Sequence, residues 1–292
     1  MRVTRALILT AVLLAGAAGC ASSHQVAVEP PASTLGTPFP QRAAQLAASW
    51  VGSPTQQTWE AGYVPLDGTT QLPAGAFHSG ADKAAYLAGQ FHFSVTLPTG
   101  PTQQTVHFDS GTRATRPGLS ADQALRTEGT GHCPAAGGCP TWLTVTAARA
   151  TTERVRTSQG PATVPAWAFR IQGYQGEFVF AAVKPETLPN PVDEPRLNGY
   201  QGALLESVSA DGRTLTLGVA TGCGQQPPSG LVYETKDVVV VGATDKPVSM
   251  SPGTACPADL RLAPVAVHLN DVLDGRTVIN VGSGLPEAPT RG

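Results

Sequence analysis

Two histidines one element apart, His92 and His107, sit in alternating apolar and polar runs where imidazoles on a wet strand face would serve as Zn or Cu ligands, with His78 or Asp109 to complete the set. Spacing fixes no third ligand, and half-exposed strand histidines are the commoner outcome, so no metal or other cofactor is expected. Four cysteines, Cys133, Cys139, Cys223 and Cys256, allow three disulfide pairings. Cys133 and Cys139 bracket a short Pro-Ala-Ala-Gly-Gly loop and the other two lie near the C-terminus, which favours Cys133 with Cys139 and Cys223 with Cys256. Oxidised cysteines leave no thiolate nucleophile. The chain lacks Gly-x-Ser-x-Gly, His-Glu-x-x-His, Ser-x-x-Lys, a glycine-rich phosphate loop and Cys-x-x-Cys, so no catalytic residue is assigned. The carboxylate pairs, Asp193 with Glu194 and Asp271 with Asp274, lie in a proline-rich stretch and beside a turn, where solvated surface is the expected role.

A fifth cysteine has a different chemistry. Arg2 and Arg5 precede an apolar run too short to span a bilayer, and Ala17-Ala18-Gly19-Cys20 follows. This pattern predicts a lipoprotein signal over residues 1–19 and thioether lipidation at Cys20, with Ala17 where leucine is more usual. A diacylglycerol supplies two chains, and two chains anchor stably where one does not. The expected localisation is the extracytoplasmic face of the cell membrane, an oxidising compartment that suits the disulfides. Residues 20–40 carry Pro30, Pro31, Pro38 and Pro40 among Ser and Thr, a composition suited to a flexible tether.

The elements that must position these residues read as mainly β. The sequence has 32 glycines and 26 prolines in 292 residues, with only 14% charged side chains, which disfavours long helices. The formal charge is −2, or −4 without the two signal arginines, and no basic patch occurs, so nucleic acid is not an expected partner. Short helices are predicted over Gln41–Val51, from a Ser79 cap to Gly89, and from a Ser120–Gln123 capping box. Phe91, Phe93 and Val95 alternate with polar residues, and the alternation resumes at Val106 and Phe108, which predicts a hairpin about Thr99-Gly100 pairing His92 with His107. Strands follow over Trp142–Ala147, Thr152–Thr157 and Val164–Ile171, with Pro165 at a strand start or edge. Phe178–Val183 reads as a central strand.

Residues 184–199 hold four prolines and little periodicity, and mark a linker between an N-terminal β-rich domain (41–183) and a C-terminal one (200–284), ahead of a disordered tail (285–292). The fold class is two antiparallel β-rich domains with a few short helices near the start of the first. In the second, Leu204–Ser209 and Leu215–Val219 form a hairpin across Asp211-Gly212, and Leu231–Val241, Pro264–Leu269 and Thr277–Val281 add strands. Asp-Gly-Arg-Thr occurs at 211–214 and 274–277, read as shared turn chemistry rather than duplication. Trp50, Trp59, Trp142 and Trp167 are expected core anchors, Trp59 being the least clearly buried because its surroundings read as loop.

Cys133-x5-Cys139, Leu-Thr-Val-Thr-Ala at 143–147, Val-x-Thr-x-x-Gly at 155–160, Val-Pro-Ala-Trp-Ala-Phe at 164–169, Tyr233-Glu234-Thr235 and Asp274-Gly275-Arg276-Thr277 together resemble actinobacterial envelope lipoproteins. The resemblance spans most of the chain after Cys20 and implies lipidation at Cys20 and a domain outside the cytoplasm; the family brings no established activity. The expectation is a non-enzymatic binding or scaffolding module contacting the membrane through its lipid and an envelope protein through its domain. An envelope hydrolase with a loop-assembled site is the alternative; a solute-binding transporter subunit is weaker, since the α/β pattern is missing.

Overall fold

A computed structural model describes residues 36–127, 129, 141–189, 197–249 and 260–290. The fold is mainly β. In chain order it comprises α1 (Phe39–Trp50), α2 (Pro54–Ala61), β1 (Thr70–Gln71), α3 (Gly80–Leu87), β2 (Phe91–Phe93), β3 (Gln103–Phe108), β4 (Arg113–Pro117), α4 (Ala121–Leu125), β5 (Leu143–Thr157), β6 (Gly160–Ile171) and β7 (Glu177–Ala181). The second half adds β8 (Tyr200–Gln201), β9 (Leu204–Val208), β10 (Thr214–Thr221), β11 (Gly230–Glu234), β12 (Val238–Thr244), β13 (Arg261–His268), β14 (Thr277–Asn280) and β15 (Pro286–Glu287).

The helix caps follow local chemistry. Ser79 Oγ accepts the Asp82 N–H, and Ser120 with Gln123 forms the complete reciprocal box. Helix α2 was not foreseen: Ser53 caps it, Pro54 opens it, and it buries Trp59. Trp142, by contrast, is 60% exposed, while Trp50 and Trp167 are buried as expected.

In the first sheet, β5 and β6 form a long antiparallel ribbon through the Ser158-Gln159 turn, joining two stretches read as separate strands. The hairpin expected about Thr99-Gly100 does not form. Strand β2 runs parallel to β5, with His92 opposite Thr144, whereas β3 pairs with β4 and with β6, His107 lying opposite Arg113 and Thr163. Alternation alone cannot choose a partner, and β5 supplies a better one for Phe91 and Phe93 in Leu143 and Val145. Pro165 lies inside β6, not at its start or edge. Its carbonyl accepts from Ala182 N, so its missing N–H faces the same seam, where the neighbour of β6 changes from β3 to β7.

One end of this sheet closes into a ring. From β5 the pairing passes to β6, β3 and β4, then to residues 182–184 through Leu119 N→Ala182 O (2.8 Å) and Lys184 N→Pro117 O (2.9 Å). Glu186 N→Tyr63 O (2.9 Å) carries it to Tyr63, and Leu66 N→Arg156 O (2.9 Å) returns it to β5. Val106, Phe108, Val155, Ala162, Val164, Ala181 and Val183 fill the interior around Tyr63. Glu153 shares this inner face, since it lies opposite Val164 and two residues before Val155.

The remaining strands form two further sheets, β13-β10-β9 and one of β8, β11, β12, β14 and β15. The stretch read as one strand over Leu231–Val241 is two, β11 and β12, turning at Thr235–Asp237; the β9–β10 hairpin forms as expected. Both faces of β12 are buried, which explains its unbroken valines: Val238 and Val240 pack under α1, Val239 and Val241 against Leu205, Leu215 and Leu217. Residues from before the expected linker, in α1, Trp59 and Val64, thus complete the core of the later sheets, and Gly36–Gly292 clusters as one compact unit. The end of the expected tether is part of the fold, since Thr37 bridges Leu197 and Phe39 and Pro40 open α1, and the stretch 285–290 is not a frayed tail. Strand β15 pairs with β14, Thr290 N donates to Leu205 O, and buried Asn280 donates to Glu287 and Ala203 O. No helix among the described residues is long and apolar enough to cross a membrane.

Candidate functional site

The site begins with the two Asp-Gly-Arg-Thr turns. In each, glycine takes a positive φ (Gly212 68°, Gly275 77°) and threonine opens a strand, β10 or β14. The turns pack side by side, Leu273 N donating to Gly212 O (2.8 Å). Both arginines grip the backbone of the intervening loop: Arg213 Nη1 donates to Asn270 O (2.7 Å), and Arg276 Nη2 to Asp271 O (2.8 Å) and Val272 O (3.0 Å).

Arg276 also reaches the end of β11. Its Nη1 donates to Glu234 Oε2 (2.9 Å) and Thr235 O (3.2 Å), while Glu234 Oε1 accepts the Asn270 backbone N–H (2.8 Å) and its side-chain amide (3.0 Å). Burial alone would raise the Glu234 pKa; the Asn270 N–H, the Arg276 guanidinium and the Asp271 N–H outweigh it and hold the carboxyl below its ordinary value. A pair this enclosed, with side chains 8% and 12% exposed, holds together because both Glu234 oxygens and both Arg276 Nη groups are matched, although the enclosed Arg276 Nε has no partner among the described residues. Thr235 Oγ1 is committed to the β-turn, donating to Val238 O and accepting from the Asp237 and Val238 N–H groups.

Above this clamp lies an open cleft of about 540 Å³, whose base is Glu234, Arg276 and Thr235 and whose rim carries exposed Lys236, Asp271, Val272 and Asp274. Asp274 has φ 31°, the one non-glycine in left-handed territory among the described residues. The base offers no free nucleophile, and no histidine lines it. The arrangement is a rigid floor under a rim of both charge signs, suited to recognising a polar surface.

Comparison with protein-family models, curated proteins and solved structures gives no match for this chain.

The histidine pair is not brought together. His92 neighbours Thr144, which accepts from Gln172 N, and His107 neighbours Thr163; the nine-residue offset from 163 to 172 separates them by roughly 25–30 Å along the sheet. Asp109 spends both oxygens on Arg154 (2.7 and 2.6 Å), and His78 stacks on Tyr174 at 4.2 Å. Among the described residues no group of three His, Cys, Asp or Glu is placed to hold a metal. Cys20, Cys133, Cys139, Cys256, Asp193 and Glu194 lie outside the described residues; Cys223 sits in the turn after β10. Asp271 and Asp274, expected as solvated surface, are exposed but on the cleft rim.

Two buried groups escaped the sequence reading. Glu153 is 5% exposed, and neither carboxylate oxygen has a hydrogen-bond partner; burial raises its pKa to about 7. The enclosed Tyr63 hydroxyl, also unpartnered, is pushed up by burial and by the Glu153 charge. Arg42 is the second. The signal for each was periodicity: Glu153 alternates in phase with Val155, and Arg42 falls on the α1 stripe of Phe39, Leu46 and Trp50.

Proposed function

We propose that this chain is a cell-envelope lipoprotein, acylated at Cys20 and held off the outer face of the cytoplasmic membrane by residues 21–35, and that it works as a non-enzymatic binding or scaffolding module through the cleft between the β11–β12 turn and the 270–276 loop. Cystines Cys133–Cys139 and Cys223–Cys256 belong to this reading. The observation that carries it is the state of the cleft floor. Glu234, the two Arg276 Nη groups and the Thr235 hydroxyl are spent on one another and on backbone groups, so the floor is fixed, while Asp271, Asp274 and Lys236, the last in a surface pair with Asp237, stand on the rim to meet a partner. Rigid support beneath exposed charges reduces the ordering cost of association.

The anchor is tested by metabolic labelling with a clickable palmitate analogue: the label is expected in the wild type and lost in Cys20→Ser, with the protein moving from the membrane to the soluble fraction. Labelling that survives in Cys20→Ser would refute it. The recognition surface is tested by photocrosslinking from position 236: one discrete adduct is expected, and none would refute it.

A further inference from the structure

We propose that the N-terminus of α1 and the Arg42 guanidinium together form a binding site for a phosphate-type oxyanion. Arg42 is 1% exposed on the core-facing stripe of α1, among Phe39, Ala43, Leu46 and Trp50. Its Nε and Nη2 are enclosed and have no partner among the described residues. A guanidinium cannot shed its charge, and burying a cation without a counter-charge is strongly unfavourable, so the enclosed fork is suited to an anion.

The helix end beside it lacks the same thing. Pro38 stands at the cap and offers no side-chain acceptor, and the first turn holds no acidic residue, although α1 runs for 12 residues and its N-terminal dipole end attracts negative charge. Arg42 lies in that first turn, and helical side chains lean toward the N-terminus. Tyr200 packs at this end of the helix: its ring meets Phe39 edge-on at 5.7 Å, and its hydroxyl donates to Thr37 O (2.8 Å), just before the cap. Pro38, Pro40 and Gln41 are exposed, so this end of the helix is open to a ligand from solution. An oxyanion with several acceptor oxygens matches a guanidinium fork and a helix end at once.

The source is a free phosphate or a phospholipid headgroup, and the two are separable. The probes are inorganic phosphate at constant ionic strength, followed by calorimetric titration, and flotation with phosphatidylglycerol or phosphatidylcholine vesicles. Both use the full-length Cys20→Ser protein, so failure here leaves the acylation reading untouched. Saturable phosphate binding is expected, weakened at least about tenfold in Arg42→Gln, the loss of one charge-assisted contact set, and partly restored in Arg42→Lys. Flotation with the anionic vesicles alone, competed by phosphate and lost in Arg42→Gln, supports the headgroup; phosphate binding without flotation supports the free ion. Absence of saturable binding to either probe, or equal binding by wild type and Arg42→Gln, overturns the site. So does energetic coupling between Arg42→Gln and Glu194→Gln in a double-mutant cycle, because the counter-charge would then come from the chain itself.

Discussion

Replacing Glu153 with glutamine is expected to flatten the pH dependence of folding between about pH 4 and 8. The carboxyl lies inside the closed end of the first sheet, both oxygens unpartnered, and its pKa rises from 4.5 to about 7 because burial penalises the charged form. A raised folded-state value means that the folded protein binds the proton more tightly than the unfolded chain. The stabilising contribution is therefore complete below about pH 4.5 and is lost as the pH rises through about 7. The 2.5-unit difference corresponds to about 3 kcal/mol. That is a large share of the roughly 5–15 kcal/mol available to a folded domain. Urea unfolding of wild type and Glu153→Gln across this range isolates the contribution, since other titrating groups cancel in the difference. The variant is expected to gain about 3 kcal/mol relative to wild type between pH 4 and 8, with most of the gain between about pH 4.5 and 7, where the folded protein holds the proton and the unfolded chain has lost it. Parallel curves for the two proteins would refute the burial argument, and a growing disadvantage of the variant at high pH would mean that the ionised carboxylate has a partner.

Arg276→Ala leaves Glu234 buried without its cation and is expected to cost about 3–5 kcal/mol in urea unfolding; Glu234, whose pKa is depressed, contributes stability that is lost only as the pH falls through its lowered value, so Glu234→Gln should blunt the acid limb of the stability curve. Ser120→Ala removes half of the capping box on α4 and is expected to cost about 1 kcal/mol. Trp142→Ser should change stability by less than about 0.5 kcal/mol because the ring is exposed, whereas Trp50→Ala, in the core beneath α1, should cost about 3–5 kcal/mol.

What was legible in the sequence was local. Ser120 and Gln123 announce their helix because the cap is made within four residues, and Asp211-Gly212 announces its hairpin because a turn fixes its own register. Partner choice was not legible. Phe91 and Phe93 alternate equally well against β3 or β5, and only the whole sheet shows that Leu143 and Val145 face them. The valines of β12 marked a buried strand, yet nothing in them told that α1, almost two hundred residues earlier, covers one face. For the cleft, the twin Asp-Gly-Arg-Thr turns and Tyr233-Glu234-Thr235 stood out as motifs, but their meeting is tertiary: Arg276 joins Glu234 across 42 residues. Arg42 and Glu153 went unremarked because a charged residue in an apolar periodicity reads as an interruption of the pattern rather than as a buried group.

The most direct test of the central claim is a photocrosslinking amino acid at Lys236 in the intact, Cys20-bearing protein in living cells, with the same residue at exposed Gln71 on the first sheet as control. A rigid recognition cleft on a membrane-held module predicts one discrete adduct from position 236, absent from position 71, weakened by charge reversal at Asp271 or Asp274, and reduced in Cys20→Ser. Indistinguishable adducts from the two positions, or none from position 236, would contradict it.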